Sequence, residues 1–253
     1  RRLSGRGGWA RDIIPWALSS SVRPSAKFGT PVNDTTDHPY RPSETPMCGL
    51  TGFIDFARHT AEDVLRERAG AMSETLRHRG PDDDGVWVDA DAGVAMGFRR
   101  LSIIDLSDMG HQPMVSSSGR YVIVFNGEVY NFRELRDALI PAGARFTGSS
   151  DTEVILEAIQ AWGLEAAVRR FVGMFAIALW DREERTLHLV RDRIGVKPLY
   201  WGRQGNLLLF GSELKALRAH PDWRPEIDRD ALVAYFRHAY VPAPFSIYHG
   251  IGK

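Results

Sequence analysis

The chain has 253 residues, 43% hydrophobic and 25% charged, so it is long enough to bury a core and is not a disordered polypeptide overall. Its 32 Lys and Arg balance 32 Asp and Glu, which excludes a strongly basic nucleic-acid binder or a polybasic membrane protein as the default reading. One cysteine excludes an intrachain disulfide framework and any multi-cysteine metal site, and it fits a reducing, cytoplasmic location.

Residues 1–46 stand apart. They hold six of the 14 prolines and carry a net charge of +3 against −3 for the remainder. Apolar periodicity is missing, so they read as a disordered or non-native upstream segment. No apolar stretch of a secretory signal is present; the early Arg and Ser content admits a transit peptide.

Order is expected to begin at Met47-Cys48-Gly49. Leu50 to Asp55 reads as a short buried strand. Thr60 with Asp63 resembles a capping box, and Leu65, Ala69, Met72 and Leu76 recur at helical spacing. That helix should stop before Gly80-Pro81. Strands are expected over 85–89, 93–98 and 121–125, the last followed by the turn signal Asn126-Gly127. A helix starts at Asn131 with Phe132, Leu135 and Leu139 on one face. A second spans 151–162 and is broken by Gly163. The strands 173–180 and 186–190 flank a polar turn. Met174 to Trp180 is the longest apolar run, far below the ~20 residues of a membrane span. Residues 198–201 and 207–210 pair around Gln204-Gly205-Asn206. Short helices follow at 213–219 and, after Asp228, at 229–238. Paired strands and paired helices point to antiparallel sheets covered by helices, an α+β plan.

Cys48 is the residue with the most chemical potential. A lone buried cysteine is commonly a small hydrophobe. If residues 1–47 are absent, however, Cys48 carries a thiol and a free α-amine whose ordinary pKa is ~7.7–8.0. Nucleophile and base then share one residue. Elsewhere, Arg100 can grip a carboxylate through both arms of its guanidinium or form a surface ion pair. Asp151 can bind an ammonium or cap a helix. Asn126 and Gly127 can offer an amide and an N–H to an oxyanion, or form a plain hairpin turn. Asp82-Asp83-Asp84 reads better as an acidic loop than as a cation site. The eight histidines have no metal-site spacing. Neither G-x-x-x-x-G-K-S/T nor G-x-G-x-x-G occurs.

Six segments occur in a fixed order: Met47-Cys48-Gly49, His78-Arg79-Gly80-Pro81-Asp82, Arg100-Leu101-Ser102-Ile103-Ile104-Asp105, Asn126-Gly127-Glu128-Val129-Tyr130-Asn131, Gly148-Ser149-Ser150-Asp151-Thr152-Glu153, and Arg191 through Tyr200. Together they closely resemble the glutamine amidotransferase domain of the glutamine-hydrolysing asparagine synthases, over residues 47–253. The resemblance implies a four-layer α/β/β/α sandwich of the N-terminal nucleophile hydrolase type. It implies a glutaminase with Cys48 as nucleophile and Asn126 and Gly127 as the oxyanion hole. Glutamine would be bound by Arg100 at its α-carboxylate and Asp151 at its α-amino group, with Ile103, Ile104 and Glu128 lining the pocket. Arg79 matches part of the site wall, and 191–200 matches mainly as structure. One departure is Phe98, where the family usually has His.

The resemblance further implies ammonia transfer to aspartate in a C-terminal synthetase domain that uses ATP and Mg²⁺, with no cofactor or metal in the glutaminase domain itself. On that reading 47–225 is the amidotransferase domain, and 226–253 begins the linker or synthetase domain, cut short. A homodimer is compatible with the sequence. Rival readings are an amidotransferase of this family with a peptide, antibiotic or polysaccharide-precursor acceptor, and an inactive support domain if residues 1–46 are retained. The sugar-phosphate and phosphoribosyl branches usually carry Arg-Gly-Tyr-Asp or Arg-Gly-Gln-Glu where this chain has Arg79-Gly80-Pro81-Asp82.

Overall fold

The computed structural model describes residues 47–101 and 110–253. The expectations for 1–46, and for Ile103 and Ile104, lie outside the described residues. The elements in chain order are β1 Gly49–Asp55, α1 Glu62–Glu74, β2 Asp83–Asp89, β3 Val94–Arg100, β4 Met114–Val115, β5 Tyr121–Val129, α2 Phe132–Leu139, α3 Asp151–Trp162 and α4 Leu164–Val168. They continue as β6 Gly173–Asp181, β7 Thr186–Arg191, β8 Tyr200–Gln204, β9 Leu207–Gly211, α5 Leu214–Arg218, α6 Arg229–His238 and β10 Ile251–Gly252.

Two antiparallel sheets result. One has the order β10-β8-β9-β1-β3-β2, the other β4-β5-β6-β7. The two-residue alternation of strand side chains explains why they stack. In β5, Val122 and Val124 face the other sheet, while Ile123 and Phe125 face α2 and α3. In β6, Ala176, Ala178 and Trp180 face inward, and Ile177 and Leu179 meet the same helices. The six-stranded sheet mirrors this: Leu50, Ile54, Met96 and Phe98 fill the space between sheets, while Phe53 and Ala95 pack beneath Leu65, Ala69 and Met72 of α1 and Leu217 of α5. Apolar residues on both faces of each sheet therefore demand four layers, α/β/β/α, as the resemblance implies.

Local signals were partly overridden. Asn126-Gly127 is no turn. β5 runs through it to Val129, with Asn126 opposite Ala176 and Gly127 opposite Phe175 of β6. A nine-residue ladder to the largely buried β6 outweighs the turn preference of the dipeptide. The Thr60–Asp63 capping box also does not form. Ala61 is the cap residue of α1, and the Thr60 hydroxyl donates to Asp55 Oδ2 at 2.6 Å. Asn131 precedes α2 without capping it through its side chain. Its amide instead donates to the Arg170 carbonyl and accepts from the Val172 N–H, both at 3.0 Å. Asp228 does cap α6, accepting from the N–H of Asp230 and of Ala231. Beyond residue 225 the chain returns to the six-stranded sheet. β10 pairs with β8, and Ile251 enters the core beneath α1.

Candidate functional site

The strand register sets the site. In β1 the even-numbered Leu50 and Ile54 face the space between the sheets, so Cys48, at the head of the same strand, shares that phase. In β3, Met96 and Phe98 face inward and Arg100 follows in phase. One step beyond the pair Gly49–Arg99, the antiparallel register brings Cys48 level with Arg100. In β5, Val122 and Val124 are followed in phase by Asn126 and then Glu128. Alternation and register together thus put Cys48, Arg100, Asn126 and Glu128 on the strand faces that line the inter-sheet space.

Cys48 packs half-buried against the inter-sheet core. Its Sγ accepts the Leu101 N–H at 3.4 Å and lies 3.6 Å from the Leu101 carbonyl oxygen. Burial pushes the thiol above its ordinary value, and the Leu101 N–H and the charges of Arg100 and Lys197 pull against that. Gly49 is needed beside it. A Cβ there would stand 3.0 Å from Leu76 Cβ, on the turn that leads to Arg79. Arg79 Nε donates to the Cys48 carbonyl at 3.1 Å, and its Nη1 lies 3.0 Å from Glu213 Oε1.

Asn126 is buried, and among the described residues its Nδ2 has no hydrogen-bond partner. Mid-strand, its backbone is committed to the ladder, so the free side-chain donor is an open valence within the fold. Gly127 has no room for a side chain: a Cβ would fall 2.2 Å from the Met174 carbonyl oxygen across the ladder. Arg100 is buried with its guanidinium against Gly110, where a Cβ would stand 2.2 Å from Nη2.

Asp151 opens α3, but Ser150 is the cap, accepting the Thr152 N–H. The Asp151 carboxylate is turned instead to the end of β5, where Oδ2 accepts the Val129 N–H at 3.1 Å. It is 7% exposed, and among the described residues no cation pairs with it. Burial raises its pKa to about 6, against the hydrogen bonds from Val129 and Thr152 and with a further push from Glu128. A buried carboxylate without a cation suits a ligand that brings its own positive charge.

The segment 191–200, which the sequence marks mainly as structure, also carries a buried cation, Lys197. This lysine is buried, and its Nζ lies 3.2 Å from Met47 Sδ. Its loop is tightly built. Asp192 accepts the N–H of Val196 at 2.8 Å and of Lys197 at 3.0 Å, while Arg191 donates to the carbonyls of Lys197 and Gly195, both at 2.6 Å. Among the described residues no cluster of three His, Cys, Asp or Glu is placed to hold a metal ion, and no helix is long and apolar enough to cross a membrane. A shallow polar depression bounded by Asp89, Arg120, Arg182 and Arg185 contains none of these site residues.

Comparison with known proteins supplies the family. Glutamine phosphoribosylpyrophosphate amidotransferase from B. subtilis superposes with a TM-score of 0.57 at 20% identity over 68% of this chain and 43% of that one, which is a likeness of fold. Glutamine-hydrolysing asparagine synthetase 3 of Bacillus subtilis is 40% identical over 192 residues, 75% of this chain and 30% of that protein. Amidase chry2 of Gibberella zeae is 36% identical over 187 residues, 70% of this chain and 28% of that protein. The chain thus spans about a third of the length of these curated relatives. The family model of the glutamine amidotransferase domain matches residues 47–253, and the chain belongs to that family.

Proposed function

We propose that residues 47–253 hydrolyse glutamine with Cys48 as an N-terminal nucleophile and deliver the ammonia to a synthetase domain. The observation that carries this reading is the Asn126 amide: a buried donor without a partner among the described residues, in phase with Cys48 and Arg100 on the inter-sheet face. A donor kept open in this way is suited to charge that exists only during the reaction.

In the proposed cycle the α-amine of Cys48 takes the thiol proton, and Sγ attacks the carbon of the γ-carboxamide. The oxyanion is met by Asn126 Nδ2 and the Gly127 N–H. Collapse breaks the C–N bond, and the α-ammonium returns its proton to the leaving ammonia. Water, relieved of a proton by the amine, then cleaves the γ-glutamyl thioester to glutamate and restores the thiol. Arg100 holds the α-carboxylate of glutamine and Asp151 its α-ammonium, which gives each buried charge a partner. Glu128 lines the same pocket; Ile103 and Ile104, outside the described residues, are assigned to glutamine binding on the family resemblance alone.

Aspartate is the proposed acceptor, with ATP and Mg²⁺ used in the synthetase domain rather than here. An asparagine synthetase at 40% identity supports that choice. The amidase at 36% identity favours, as a second reading, a different acceptor with the same ammonia-releasing step. We place the start of the linker toward the synthetase domain near residue 225, with its first stretch still packed on the amidotransferase sheet through β10, and the protein in the cytoplasm, where a lone reactive thiol stays reduced. The test compares glutamate release by protein beginning at Cys48, the same protein carrying Cys48→Ala, and a chain retaining residues 1–47. Activity is expected in the first alone; full activity in either of the others overturns the assignment.

A further inference from the structure

We propose that Lys197 is a positioning residue for the N-terminal nucleophile, its buried ammonium holding the thiol and α-amine of Cys48 in the singly protonated state from which attack starts. The proposal rests on the reading of Cys48 given above and adds a residue to it.

The geometry is unusual for a lysine. Lys197 is only 6% exposed, and among the described residues its Nζ has no carboxylate within ion-pairing distance. The partner it does have is a thioether, Met47 Sδ at 3.2 Å, which is a weak acceptor. A buried ammonium with so poor a partner is costly in a fold that could place an apolar residue there. The surrounding loop nevertheless fixes it firmly. Asp192 gathers the N–H groups of Val196, Lys197 and Phe175, and Arg191 clamps the carbonyls on either side of Val196. Four side-chain contacts to the backbone of this short loop aim one cation at the residue immediately before Cys48. When Met47 is removed, the thioether goes with it, and the ammonium is left beside the new terminus.

The charges around that terminus come from several elements. Arg79 follows α1, Arg100 ends β3, Glu128 lies near the end of β5, and Asp192 and Lys197 lie on the loop after β7. The two arginines have other work: Arg79 engages Glu213 and the Cys48 carbonyl, and Arg100 is assigned to the substrate carboxylate. Arg100 also pulls on the thiol, but its assignment to the substrate carboxylate leaves Lys197 as the cation near the thiol with no other role. Those two groups sit on one residue and titrate as a coupled pair. A cation nearby disfavours the fully protonated pair and so lets one proton leave at lower pH. Loss of Lys197 therefore raises the pH at which the enzyme switches on.

The experiment uses the full chain processed to Cys48. The dependence of glutaminase kcat/KM on pH is measured for the parent, Lys197→Met, Lys197→Gln and Lys197→Arg, with Cys48→Ala alongside. The proposal expects the acid limb to move up by about one pH unit in the Met and Gln variants. It expects the Arg variant to keep the parent's limb, whatever its rate, because it keeps the charge. Melting temperature should be unchanged or higher in the Met variant, since a buried charge has gone. Lys197→Gln supplies the readout if Lys197→Met fails to fold. An acid limb unmoved in both neutral variants, with Cys48→Ala inactive, overturns the role of Lys197 and leaves the nucleophile in place. Activity retained by Cys48→Ala overturns the underlying reading and this one with it.

Discussion

Arg79 Nε donates to the carbonyl oxygen of Cys48 at 3.1 Å, so the backbone beside the Cys48 thiol is held from the turn that follows α1. Glu213 in turn holds Arg79, and also meets His78 at 3.0 Å and Lys215 at 3.1 Å. Burial alone would raise the Glu213 pKa, but Arg79, Lys215 and His78 outweigh it and keep the carboxyl below its ordinary 4.5. A depressed carboxylate stabilises the fold above its unfolded pKa and loses that contribution as pH falls through the folded value. Glu213→Gln should therefore cost about 1 kcal/mol at pH 7, and the gap from the parent should close below about pH 4.5. Urea midpoints at both pH values check this; a gap that persists in acid contradicts it.

Asp151 has the opposite sign. Its pKa is raised by burial to about 6, from an ordinary value of 3.8. Its ionised form therefore opposes folding, an effect absent below the unfolded pKa and fully present above about pH 6. Asp151→Asn should raise stability at pH 8 by up to about 3 kcal/mol. It should also weaken glutamine binding, and the fall in KM as the parent is taken upward through pH 6 should vanish. Melting temperature and KM on the same preparations decide it. A variant that is less stable and binds glutamine normally would make Asp151 a helix-start residue only.

Asn126 lies within the β5–β6 ladder, and its free Nδ2 makes no bond that the fold would miss. Asn126→Ala should lower kcat by roughly 10²–10³ with little change in KM. Its melting temperature should stay close to the parent's, since the lost donor was unpaired. Near-normal kcat with a marked loss of stability would contradict the oxyanion role.

Arg100 can be tested without touching it. A Cβ at Gly110 would stand 2.2 Å from Arg100 Nη2, the movable end of a long side chain. Gly110→Ala should therefore displace the guanidinium rather than the backbone, raising KM for glutamine with the fold intact. An unchanged KM would separate Arg100 from the substrate.

The architecture was legible because alternation and helical spacing speak for both faces of each sheet. Val122, Ile123, Val124 and Phe125 announce a strand buried on two sides, and Leu65, Ala69 and Met72 announce the helix over it. Short polar signals were less dependable. Asn126-Gly127 reads as a turn, yet pairing with Ala176 and Phe175 carries the strand through it. Thr60 reads as half of a capping box, yet its hydroxyl donates to Asp55 instead. Cys48, Arg100 and Asn126 were legible as chemistry, but their common face follows only from the register of β1, β3 and β5. Lys197 lies in the matched segment 191–200, but nothing local marks it as a buried cation. Its burial depends on Asp192 and Arg191 folding the loop, and on Met47 being brought across 150 positions of sequence.

The central claim is that a processed Cys48 is the nucleophile. Intact-mass and peptide mapping after incubation with a diazoketone analogue of glutamine tests it most directly. A single adduct on Cys48 is expected, only on chains that begin at that residue, with glutaminase activity lost in proportion to labelling. Stoichiometric labelling at another residue, or equal labelling and activity in chains that retain Met47, would contradict it.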